Sequence, residues 1–113
     1  LLNGDSTARR LALRLHSEHP ANRAFAATYA FALHCEGKLA EGLKVIEKLN
    51  DEELRVPALA AYYVVMLVEN GKLERARSFL TYAERASLLP EERQLLATAT
   101  RKLVNTGEKI AGM

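Results

Sequence analysis

A turn that occurs twice constrains this chain more than anything else in it. Glu36-Gly37-Lys38-Leu39 is answered by Asn70-Gly71-Lys72-Leu73, so Gly-Lys-Leu recurs after 71 − 37, or 34, residues. An interval of that length suits one supersecondary unit of two helices. A true period must also govern residues far from the turn. Ala26, Tyr29 and Leu33 step to Ala60, Tyr63 and Leu67, three identities. Leu11 steps to Val45 and Phe79, Ala12 to Ile46 and Leu80, and Leu15 to Leu49 and Ala83, each series apolar throughout. Ala8, Gly42 and Ala76 form a series of small residues.

Alanine, leucine and arginine dominate the sequence, and Val64-Val65 is almost the only β-branched run. That composition favours helix. Breakers divide the chain at Asn3-Gly4-Asp5, His19-Pro20, Glu36-Gly37, Asn50-Asp51, Val56-Pro57, Asn70-Gly71, Leu89-Pro90 and Asn105-Thr106-Gly107. The pattern predicts six helices, over residues 6–18, 22–35, 38–49, 57–69, 72–87 and 90–104. Pro57 and Pro90 suit a first helical turn, where a missing N–H is no loss. Glu91-Glu92 places negative charge at the positive end of the last helix. Gly37, Gly71 and Gly107 fall where a chain leaving a helix needs positive φ.

Two helices per 34 residues cannot bury an apolar face alone, so successive units are expected to stack on one another. The small-residue series lets paired helix backbones approach closely, and larger residues fill the space beside it. The expected fold is therefore all-α, an α-α superhelix of about six antiparallel helices.

These residues resemble the tetratricopeptide repeat. Ala30, Leu33, Gly37, Leu39 and Gly42 match its pattern in one unit, and Val64, Leu67, Gly71, Leu73 and Ala76 in the next. Ala8, Leu15 and Pro20 match the second half of a preceding unit. The resemblance implies a single domain over 1–113: a second helix (1–20), two full repeats (21–54 and 55–88), a capping helix (89–106) and a tail (107–113). Three departures stand out. Ala26 and Ala60 replace the usual large aromatic, Gly42 replaces an alanine, and Arg101 occupies the slot of Leu33 and Leu67. The last suits a terminal cap, with Leu95, Leu96, Ala99 and Leu103 turned inward and Gln94, Thr98, Arg101, Lys102 and Asn105 toward water.

Sixteen basic and 14 acidic side chains among 113 residues give a net charge of +2, too little to imply a polyanionic partner. Cys35 is the single cysteine, so neither an internal disulfide nor a multi-cysteine metal knuckle can form. No apolar run is long enough to cross a membrane, and the expected location is cytoplasmic. Because the chain opens on Leu1, it is expected to be an excerpt of a longer polypeptide. His16 and His19 have a spacing two metal ligands could use but lack an evident third, so no metal or other cofactor is expected. Adjacent His34 and Cys35 point about 100° apart on a helix and do not make a thiol–base pair. Arg9, Arg10 and Arg14 spread around a helix as a solvated face. No motif for catalysis is present, and the chain is read as a non-enzyme.

The resemblance implies a protein-interaction scaffold whose first helices line a concave, apolar binding face. Carried over by position, that face comprises Ala27, Phe31 and His34 in one repeat and Ala58, Ala61, Tyr62, Val65 and Glu69 in the next. Its partner is expected to be a peptide or a helix, with Phe31 and Tyr62 as anchors. The lysine, asparagine and arginine with which one subgroup grips chaperone tails are replaced by Ala27, Phe31 and Tyr62, so no such carboxylate clamp is expected. Two alternatives stay open. One is RNA binding of the pentatricopeptide type, disfavoured by the 34-residue step, the apolar face and the small charge. The other is a structural role through self-association as a homodimer.

Overall fold

The structure, a computed structural model, describes residues 6–111, with side chains described for residues 9–104. Seven helices and no strand occur among them: α1 (Ser6–Glu18), α2 (Arg23–Cys35), α3 (Leu39–Ile46), α4 (Asp51–Leu54), α5 (Pro57–Glu69), α6 (Leu73–Ala83) and α7 (Pro90–Ala111). The chain is all-α. It divides into two compact units, one ending at Leu54 and the other beginning at Arg55.

In the first unit α2 packs against both α1 and α3. Asn22 starts α2, its side-chain oxygen accepting the Phe25 N–H at 3.0 Å, which satisfies one of the donors a helix start leaves free. Ala26, Ala30 and Leu33 on α2, Leu43 and Ile46 on α3 and Ala12 on α1 are buried. α3 ends at Ile46, three residues short of the expected end. The chain then tightens through bonds from Lys48 to Val45 (3.3 Å) and from Leu49 to Ile46 (3.1 Å), the geometry of a 3₁₀ turn.

Directly after it lies α4, a single turn between residues 49 and 57, where no helix was expected. Asn50 and Glu53 explain it. The Glu53 N–H donates to Asn50 Oδ1 (2.8 Å) and the Asn50 N–H to Glu53 Oε1 (3.1 Å). This reciprocal pair is a capping box, and the turn it opens delivers Leu54 to the interior, 1% exposed.

In the second unit α5 packs against α6 and α7, and α7 also touches α6. Pro57 occupies the first turn of α5, whose residues from Leu59 to Val68 are all buried except half-buried Tyr62. α6 stops at Ala83 rather than residue 87. Pro90 disfavours helix at Leu89, and the Leu89 N–H instead donates to Glu92 Oε1 at 3.0 Å, capping α7. α7 then runs through Gly107 to Ala111, so the expected break at Asn105-Thr106-Gly107 and a tail starting at 107 do not occur. One helical glycine costs about 1 kcal/mol, too little to end a helix by itself.

The hairpins α2–α3 and α5–α6 share one turn geometry. At the first, Gly37 has φ +85° and its N–H donates to His34 O (3.0 Å), while the Lys38 N–H donates to Leu33 O (3.0 Å). At the second, Gly71 has φ +78°, with bonds from Gly71 to Val68 O (3.0 Å) and from Lys72 to Leu67 O (2.8 Å). Each is a Schellman motif. The same lysine that closes it is the N-cap of the next helix, with φ, ψ of −88°, 64° at Lys38 and −89°, 65° at Lys72. One helix ends and another begins with no residue spare. Ala8, Asn105 and the Asn3-Gly4-Asp5 break of the sequence reading lie outside the residues described in side-chain detail.

Candidate functional site

The second unit offers the more completely built surface. α5, PALAAYYVVMLVE, carries one charged residue, Glu69, at its last position. α7 lies along it, tied by two polar contacts. The Tyr62 hydroxyl donates to Glu92, and Lys102 Nζ donates to Glu69 Oε1 at 2.9 Å. Tyr62 precedes Glu69 as Glu92 precedes Lys102, so α5 and α7 run in the same direction. Glu92 also caps α7 through the Leu89 N–H, where a carboxylate additionally favours the positive end of the helix. One carboxylate thus starts α7 and fixes it to α5.

Between these two ties the surface is apolar. Leu95 shares a face of α7 with Glu92 and Lys102 by helical spacing and is 41% exposed. Leu96, Ala99 and Leu103 are buried on the same helix. On α5, Ala61 and Val65 are buried, Tyr62 is half-buried, and Ala58 and Glu69 are exposed. Of the five residues expected on this helix, the surface therefore shows Ala58, Tyr62 and Glu69.

In the first unit Ala27 and Phe31 are buried and His34 is half-buried. The His34 ring stacks on Phe31, centroids 5.7 Å apart with 15° between planes. Neither ring stands free as a solvent-exposed anchor. Exposed Ala24, Thr28 and Cys35 mark the accessible side of α2. The Thr28 hydroxyl donates to its own helix, to Ala24 O at 2.9 Å. Although Cys35 is exposed as a residue, partial desolvation of its sulfur raises the thiol above its ordinary range, because removing a thiolate from water costs more than removing a thiol.

The sequence reading missed Glu92, Leu95 and Lys102 as surface partners of α5, although the signal was present. Another step of 34 carries Ala58 to Glu92, Ala61 to Leu95 and Val68 to Lys102. Leu95, expected inside the cap, faces out instead. Histidines expected near a helix end lie on aromatic rings: His16 on Tyr29 at 5.8 Å and His19 on Phe25 at 5.5 Å. Among the described residues no group of three or more His, Cys, Asp or Glu could hold a metal ion, and no helix is long and apolar enough to cross a membrane. Arg9 pairs with Glu36 (3.0 Å) and Arg14 with Glu18 (3.3 Å). Tyr82 lies half-buried near Arg55, whose guanidinium carbon is 6.0 Å from its ring centroid.

Comparison with family models, with curated proteins and with solved structures returned no match.

Proposed function

We propose that this chain is a tetratricopeptide-like helical repeat protein, an α-α superhelix that holds a partner polypeptide without chemically changing it. The observation that carries the reading is the pair of matching turns 34 residues apart. Both have positive φ at glycine, both make the same two backbone bonds, and both pass directly from one helix to the next through a lysine. A repeated backbone device at a repeated sequence interval is what a modular scaffold requires.

The partner's seat in this reading is the α5–α7 surface of the second unit. Leu95 supplies an apolar anchor, and the small side chain at Ala58 lets a backbone approach. Glu92 and Lys102, already paired with Tyr62 and Glu69, keep that surface rigid at small further entropic cost to binding. The test is a peptide-display selection on the immobilised chain, with the selected peptides titrated against Leu95→Asp and Ala58→Arg. Both replacements are expected to weaken binding about tenfold or more with unchanged helical circular dichroism. Peptides that bind both variants as well as the parent would refute the assignment. Amidation of the peptides' C-termini is expected to leave affinity unchanged, because Ala27, Phe31 and Tyr62 supply no carboxylate clamp.

A further inference from the structure

Two arginines of the second unit lie over aromatic rings, Arg55 over Tyr82 and Arg75 over Tyr63 and Phe79. Three others meet on one flank of α7. Arg93, Ala97, Arg101 and Val104 follow one another at i, i+4, i+8 and i+11, so they share a face of the helix. All four are exposed, Val104 by 51%. The buried line of Leu96, Ala99 and Leu103 separates this face from Leu95 and the α5–α7 seat. From α6, Arg77 Nη2 donates to Leu103 O at 3.4 Å, which brings a third guanidinium to the Val104 end of the stripe. Arg93 Nη2 donates to Leu88 O at 3.3 Å.

A backbone carbonyl orients a guanidinium without cancelling its charge. Among the described residues Arg77, Arg93 and Arg101 form no ion pair, whereas Glu69 is held by Lys102 and Glu92 by Tyr62. From Arg93 to Val104 the helix has no acidic residue. The small charge of the whole chain conceals an asymmetry: Arg55–Met113 holds nine basic and six acidic side chains, and Leu1–Leu54 seven and eight. Arg77 is half-buried, a cation partly withdrawn from water with no counter-charge beside it. A carboxylate brought to this face relieves that cost.

The rest of the stripe selects what carries the carboxylate. Single-stranded nucleic acid needs aromatic platforms beside its basic groove, and α7 has no aromatic residue. Ala97 and Val104 offer too little apolar area to enter a lipid surface. Arg93 and Arg101 are eight residues apart, about 12 Å along the axis. A helix laid alongside has the same rise, so carboxylates seven or eight residues apart on it reach both arginines while an apolar residue midway covers Ala97. No helix of the described residues carries two acids at that spacing, which disfavours a second copy. We infer that the Arg93–Val104 face of α7, with Arg77 at its end, binds an acidic helix of a separate protein.

The probe is an eighteen-residue alanine–glutamine helix, blocked at both ends, with glutamates at its fifth and thirteenth positions and leucines at its ninth and sixteenth. Titrated into the whole ¹⁵N-labelled chain at low salt, it is expected to shift the amides of α7 from Arg93 to Val104, and added salt to weaken binding. Arg101→Glu, at an exposed position, is expected to preserve the circular dichroism spectrum and weaken binding about tenfold or more. A peptide with one glutamate changed to lysine is expected to prefer the Arg101→Glu chain to the parent, a reversal that a merely structural role for Arg101 does not produce. Leu95→Asp is expected to leave the peptide's affinity unchanged, which separates this face from the α5–α7 seat. Shifts that avoid α7, equal affinity for Arg101→Glu, or no binding up to the peptide's solubility limit would each overturn the inference. So would tighter binding of oligouridylate or of phosphatidylserine vesicles through the same arginines, or a dimer of the chain alone that Arg101→Glu abolishes.

Discussion

Replacing Gly37 or Gly71 with alanine measures how much the shared turn depends on glycine. Both residues hold left-handed backbone, φ +85° and +78°, which a Cβ disfavours by about 1–2 kcal/mol. A Cβ built at either position meets nothing within 4 Å, so no clash adds to that cost. Alanine also restricts the unfolded chain, returning about 0.4–1 kcal/mol. The difference of these two ranges runs from about 0 to about 1.6 kcal/mol, so the net expectation is a loss centred on about 0.8 kcal/mol for each substitution. Asparagine, which tolerates this conformation, is expected to cost less.

The cost arises because positive φ keeps both bonds of each motif in place. Lys38 must reach Leu33, and Lys72 must reach Leu67, while each lysine opens the following helix. Urea unfolding followed by far-UV circular dichroism supplies the measurement, with each variant's midpoint compared at constant m. Because the two sites share conformation and surroundings, their losses are expected to agree within about 0.5 kcal/mol. Alanine that stabilises the chain at either glycine would refute the argument. So would a loss above about 3 kcal/mol, which would require a contact the open space around both residues does not contain.

Two further predictions concern side chains. Ala76 is fully buried in the small-residue series, and Ala76→Leu is expected to cost about 1–3 kcal/mol through overpacking; an unchanged urea midpoint would contradict the close approach of α5 and α6. The raised Cys35 thiol ionises only at higher pH than a free cysteine, so its alkylation by iodoacetamide at mildly alkaline pH is expected to be slower in the folded chain than in urea. The folded pH–rate profile should be displaced upward, and a coincident or lower midpoint would sink that expectation.

The helices that could be read from sequence were those with a cause written within a few residues. Pro57 opens α5, and Gly37 and Gly71 close α2 and α5. Where the cause was a competition, the reading slipped. At Asn105-Thr106-Gly107 three poor helix formers suggested an end, yet their summed preference does not outweigh continuation to Ala111. At Asn50-Asp51 a breaker suggested only the end of a helix, and the three-residue spacing of a capping box from Asn50 to Glu53 passed unnoticed. The candidate surface was legible only in part for a related reason. Ala58, Tyr62 and Glu69 were carried over by position from the resemblance, but whether a residue is covered depends on what packs beside it, and Glu92 and Lys102 lie some thirty residues further along the chain.

Tyr29 and Tyr63 show where a sequence period stops being informative. They are the same residue at the same place in two hairpins, yet Tyr63 is fully buried and Tyr29 is half-exposed. Tyr63 has Phe79 at its edge and the Arg75 guanidinium carbon 5.5 Å from its ring centroid, with Arg75 Nε donating to its hydroxyl. That donor lets the hydroxyl be buried without loss of a hydrogen bond. The register mates of Phe79 and Arg75 are Val45 and Glu41, one smaller and the other a carboxylate in place of a cation, and Tyr29 lies on the His16 ring instead. A repeated backbone needs only that small and turn residues recur, because they set how closely helices approach and where they end. The depth at which a tyrosine sits is decided by its partners, and those are free to differ from one repeat to the next.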